Sequence, residues 1–221
     1  MNLRNNFGPA SWLIRAHRIQ LLVIILAGLF SLNARAFNTS LQPEEIQEAY
    51  SLGQTTNHEE LADFLNKYEH DFKPSSDNSA AFVQSVEFQT PYEQIVLRSL
   101  HNMQYTKFQA GEDYQANRDL VIVRVLVGLK TGYTGREPPA DRFQVVVSQG
   151  KAIQPRNLNS TVLCNPLIWN EAAINTDCMT YQREIKLQFD AVQFAPGSTT
   201  IKVVVPYGQP QETRYNLDNL K

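Results

Sequence analysis

Cys164 and Cys178 are the two cysteines of the chain. A thiolate beside a basic group is a nucleophile, whereas two thiols in an oxidising compartment close a disulfide. His58, His70 and His101 are the histidines outside the basic N-terminal stretch. His58-Glu59-Glu60 lacks the second histidine, four residues on, that a helical zinc-protease site needs. His70 stands between Glu69 and Asp71 and reads as part of a charged helix end. His101 lies four residues from Leu97 and from Tyr105 and reads as half-buried against an apolar strip. Glu184 and Asp190 share one strand face, where a pair of acids could hydrolyse a glycosidic bond, but alternating charge on a wetted strand is the simpler account. Gly128, Gly132 and Gly135 have the wrong spacing for a phosphate loop and lead into prolines, and no Gly-x-Ser-x-Gly context occurs. The residues define no catalytic set, no metal site and no cofactor site.

Two loops carry the remaining functional weight. Residues 131–139 hold Tyr133 and Arg136 between glycines and a Pro-Pro pair, the composition of a tip that contacts a partner. The segment between the cysteines holds Leu167, Ile168 and Trp169. An indole on a constrained loop suits a sugar face or a protein groove, although three adjacent apolar residues more often pack inward.

The first 36 residues say where these groups work. Arg4, Arg15 and Arg18 precede the uncharged run Ile19 to Leu32, and Ala34-Arg35-Ala36 closes the segment ahead of Phe37. This is the pattern of a secretory signal peptide cleaved after Ala36. The run has 14 residues, short of the roughly 20 that span a bilayer, so no stable transmembrane anchor is expected after cleavage. Export to the periplasm or the cell exterior makes the Cys164–Cys178 disulfide the expected state, worth about 3 kcal/mol. The whole chain has 20 basic and 22 acidic residues, and four of the arginines lie in the leader, so the exported part carries a formal net charge of −6. No basic cluster remains to meet phosphates, which argues against a nucleic-acid partner.

The positioning elements follow from periodicity. Pro43-Glu44-Glu45 opens a helix that Gly53 ends, and a second helix starts at Thr56 or Asn57, each with a glutamate three residues on. Leu61, Phe64, Leu65, Tyr68 and Phe72 recur at helical spacing. Thr90-Pro91-Tyr92-Glu93 supplies a cap, a proline at the first position and the glutamate of a capping box, opening a helix expected to kink near Gly111. Phe82 to Phe88, Leu120 to Val127, Phe143 to Val147, Tyr181 to Asp190, Ile201 to Val205 and Glu212 to Leu217 read as strands. The predicted fold is mainly β with helical additions (α+β). It is an immunoglobulin-like antiparallel β-sandwich over residues 80–221, with one inserted helix at about 90–116, an N-terminal helical pair over 37–73 and a linker at 74–79.

Residues 42–53, residues 90–99 and the C-terminal stretch from Val203 to Leu220 resemble a group of exported bacterial proteins with a short helical N-terminal part and a C-terminal β-sandwich. The resemblance implies a bacterial cell envelope and brings no known activity. Members often carry an aspartate in the last hairpin turn, where this chain has Tyr207. The expected function is a non-catalytic binding or assembly module of the envelope, with another envelope protein or a glycan as partner. The alternative is a periplasmic or secreted hydrolase or metal-dependent enzyme built on His101 or His70.

Overall fold

The computed structural model describes residues 40–73, 81–129, 142–166, 178–206 and 208–221, with backbone alone at 164–166 and 178–181. The chain divides into two units, 1–35 and 36–221, and every described residue belongs to the second. The expected signal peptide and the linker at 74–79 lie outside the described residues.

Helices α1 (Pro43–Gly53) and α2 (His58–Leu65) come first, as their caps dictate. The Glu45 carboxylate accepts from the Gln42 backbone N–H at 2.9 Å, and the Asn57 side chain accepts from the Glu60 N–H at 3.3 Å. Strand β1 (Glu69–Asp71) then pairs antiparallel with β2 (Ala81–Gln89). This corrects the sequence reading twice. The helical stripe stops at Leu65 rather than running to Phe72, and the charged triplet around His70 is an edge strand, not a helix end. The side chain of Tyr68 is drawn into the core at 1% exposure, and its carbonyl accepts from the Phe88 N–H at 2.9 Å, so pairing with the sheet overrides helical periodicity.

The inserted helical region is two helices, α3 (Pro91–His101) and α4 (Lys107–Asn117). The break falls at residues 102–106, not at Gly111, which sits inside α4 with open space around it. Thr106 and Gln109 form a full capping box there, so the chain restarts a helix where the stripe of α3 fades. Helix α1 packs on α3 at a close approach: a methyl on Gly53 would stand 2.6 Å from the Ser99 Cβ.

Strands β3 (Leu120–Leu129), β4 (Gln144–Gln149), β5 (Lys151–Ile153), β6 (Asn157–Pro166), β7 (Cys178–Asp190), β8 (Ser198–Val204) and β9 (Gln211–Asn216) complete the described fold. They form two antiparallel sheets, ordered β1-β2-β3-β7-β6 and β5-β4-β8-β9. The α+β expectation therefore holds, with nine described strands where six or seven were expected. β1, β5 and β6 are the additions, each too short or too polar to stand out by pattern. Alternating residues of the two sheets, among them Val86, Val123 and Leu187 of the first and Ile201 and Val203 of the second, meet in one core cluster together with Leu217 of the 3-10 turn that follows β9. Phe88 links the sheets with Tyr215, whose hydroxyl donates to the Val86 carbonyl at 2.6 Å. A second cluster holds the helices together around Ile46, Ala49, Ile95 and Val96. Among the described residues no helix is long and apolar enough to cross a membrane.

Candidate functional site

The period of two that buries Val86, Val123 and Leu187 turns Glu87, Gln89, Ile122, Arg124, Glu184 and Lys186 to the other face of the five-stranded sheet. The register aligns Glu87, Arg124 and Lys186 in one row across β2, β3 and β7. Helices α3 and α4 stand over this face, and between them and the sheet runs an open groove of about 790 Å³. Helix α3 is held down by Gln94, whose amide donates to the Leu120 carbonyl at 2.9 Å.

Every fixed charge singled out on the groove wall has a partner. Arg124 Nε donates to Glu184 at 2.6 Å, and its Nη1 lies 3.4 Å from Glu87. Lys186 reaches the other oxygen of Glu184 at 2.9 Å. On the helical side Arg98 meets Asp113 at 2.5 Å, and the Tyr105 hydroxyl donates to the same carboxylate at 2.8 Å. Burial would raise Asp113 and Glu184, but the hydrogen bonds from Arg98 and Tyr105, and from Arg124 and Lys186, outweigh it and hold both below the ordinary carboxylate range. Glu87 goes the other way. It is 5% exposed, and its desolvation exceeds the help of Gln89, which donates at 2.6 Å, and of Arg124, so its carboxyl is raised. The groove thus offers two carboxyls on either side of one guanidinium, with proton affinities pushed apart.

Glu93 lies behind Glu87. The Thr90 hydroxyl accepts from the Glu93 N–H at 3.2 Å, so the backbone half of the expected capping box forms. The carboxylate half does not: the side chain is fully buried and neither oxygen receives an N–H or O–H. Burial, and after it the Glu87 and Glu69 charges, raise Glu93 well above the ordinary value of 4.5. A second charge there would be repelled by Glu87 with no N–H or O–H to offset it, so Glu93 keeps its proton.

The residues singled out by sequence are scattered. His101 lies exposed on the groove wall at the end of α3. His70 is on β1 against the Phe72 ring, 4.7 Å between centroids, and His58 opens α2. Among the described residues no group of three His, Cys, Asp or Glu could hold a metal. Glu184 is in the groove, while Asp190 pairs at 3.4 Å with Arg156. In the β6–β7 ladder Cys178 stands opposite Pro166 and Cys164 opposite Tyr181. Their side chains, and with them the expected disulfide, lie outside the described residues. So do Tyr133, Arg136, Trp169, Ala34, Ala36 and Phe37. The sequence reading missed Glu87, Glu93 and Arg124. Arg124 alone carried a signal, as the single charge in the apolar run of β3.

No protein-family model matches the chain, and no curated protein matches it. Its functional reading rests on the groove and its chemistry.

Proposed function

We propose that the chain is an exported binding module of the bacterial cell envelope, and that its ligand lies in the groove between α3, α4 and the outer face of the five-stranded sheet. The sandwich, immunoglobulin-like in style, serves as its scaffold. One observation carries the reading: the groove is open and polar, yet Arg98, Arg124 and Lys186 are already matched by Asp113, Glu87 and Glu184. A ligand that brought negative charge would have to break these pairs, and Glu112, the exposed acid on the same wall, would repel it. A neutral glycan or an uncharged polypeptide segment of another envelope protein would instead use the exposed edges of the pairs, the amides of Asn102 and Gln109 and the apolar patch of Leu97 and Ile122. Calorimetric titration with neutral oligosaccharides and with peptides tests this. Binding that is lost in Ile122→Trp, which fills the groove, and kept in Val192→Ser, at an exposed site elsewhere, supports the reading. Binding that ignores Ile122→Trp contradicts it.

A second reading, a hydrolase, is favoured by the opposed proton affinities of Glu87 and Glu184 across Arg124. Glu87 would be the acid and Glu184 the base, and His70, on a separate strand, would have no part. Turnover of any glycan by the purified chain, abolished in Glu87→Gln and in Glu184→Gln, would move this reading ahead of the first.

A further inference from the structure

The two sheets have four edge strands, and three are protected. β1 is three residues with charges at Glu69 and Asp71, β5 is three residues opening on Lys151, and β9 carries Glu212 and Arg214. Short length and charge are the usual defences of an edge, because its unpaired N–H and C=O groups template another strand. β6 has neither: it runs ten residues, Asn157–Pro166, without one charged side chain, and its first irregularity comes at Asn165/Pro166. Leu158 and Val162 lie on its core-side face, opposite Leu187 and Arg183 of β7, yet remain 55% and 36% exposed. Among the described residues no strand pairs with its outer side.

We propose that β6 is the interface through which two copies of this chain pair, antiparallel and about a two-fold axis at Ser160, joining their five-stranded sheets into one of ten strands. The occupant follows from the strand itself. A two-fold antiparallel pairing sets each residue against its mirror position. Centred on Ser160, it opposes Leu158 to Val162 of the second copy twice over on the apolar side, and Asn159 to Thr161 on the wet side. No like charges meet, because the strand has none. A charged partner strand would gain nothing here that this chain does not offer to itself.

Sedimentation velocity on the chain as isolated from cells, over a range of concentrations, tests the pairing. A monomer–dimer equilibrium is expected. The double variant Leu158→Lys with Val162→Lys puts lysine against lysine at both sites and weakens the dimer by more than about tenfold. Leu158→Lys with Val162→Glu puts opposite charges face to face across the axis and retains it. Both changes are at exposed positions, and circular dichroism checks that each variant folds. Amides of 157–163 gain hydrogen-exchange protection as concentration rises. A monomer at every concentration, a dimer indifferent to the two lysines, or a lysine–glutamate variant as weak as the lysine–lysine one overturns the proposal. So does protection of 157–163 that is independent of concentration, which would mean the chain's own residues cover the strand.

Discussion

The carboxyl of Glu93, at the third position of α3, is fully buried under the influence of the Glu87 carboxylate on β2, and neither of its oxygens has a hydrogen-bond partner. Glu87 lines the proposed binding groove, and the buried acid behind it makes the fold sensitive to protons in a definite direction. Glu93 binds its proton more tightly folded than unfolded, where its pKa is near 4.5. The folded state therefore holds the extra proton above that value, and its stability contribution is lost as pH rises through the folded pKa.

Glu93→Gln removes that dependence while keeping the size of the side chain and leaving it without a charge. The variant is expected to match the parent near pH 4.5 and to exceed it by roughly 1–3 kcal/mol in mildly alkaline buffer. Urea melts at a series of pH values check this. A difference between parent and variant that does not change with pH would show that Glu93 does not titrate with folding.

Arg124 lies between the buried Glu87 and the half-buried Glu184, and its loss strands Glu87 while leaving Glu184 to Lys186 alone. Arg124→Met is expected to cost roughly 2–3 kcal/mol, below the full value for a buried pair because the guanidinium is part exposed. Adding Glu87→Gln and Glu184→Gln to the same chain should recover most of it, since the one charge then left without its partner, Lys186, is exposed to water. Denaturant melts of the single and triple variants decide the matter. A triple variant less stable than Arg124→Met would mean that packing, not charge balance, sets the value of this row.

Gly53 fixes the distance between α1 and α3. Its substitution by alanine places a methyl 2.6 Å from the Ser99 Cβ, against a helix also tied by the Ser99 hydroxyl donating to the Tyr50 carbonyl at 2.8 Å. A loss of about 1–3 kcal/mol is expected from the overpacking, with the midpoint shifted and the m-value unchanged. An unchanged midpoint would show that the helices separate freely.

The strands and caps were legible because their signals are local. Asn57 and Thr90 each precede a helix and accept from its third N–H, and β3 and β7 show the period and composition of sheet strands. β6 was not legible, since its asparagines, serine and threonine read as loop until a neighbour supplies the pairing. α4 was merged with α3 because its apolar stripe is thin, and Gly111 was a more visible breaker than the capping box at Thr106. Glu93 shows the limit most clearly. Its position after Thr90 fits a capping box, and the local pattern carries no trace of the tertiary contact that turns its carboxyl inward instead. The groove itself draws on β2, α3, α4, β3 and β7, residues as distant as Glu87 and Lys186, and no spacing along the chain could announce it.

The most direct test of the binding account is to record amide chemical shifts of the isotope-labelled chain while titrating in neutral glycan and peptide fractions from a bacterial envelope. The account predicts saturable shifts gathered at Gln89, Gln94, Gln109, Arg124 and Glu184, around the groove. Saturable shifts confined to β8 and β9, or no shift with any fraction, would contradict it.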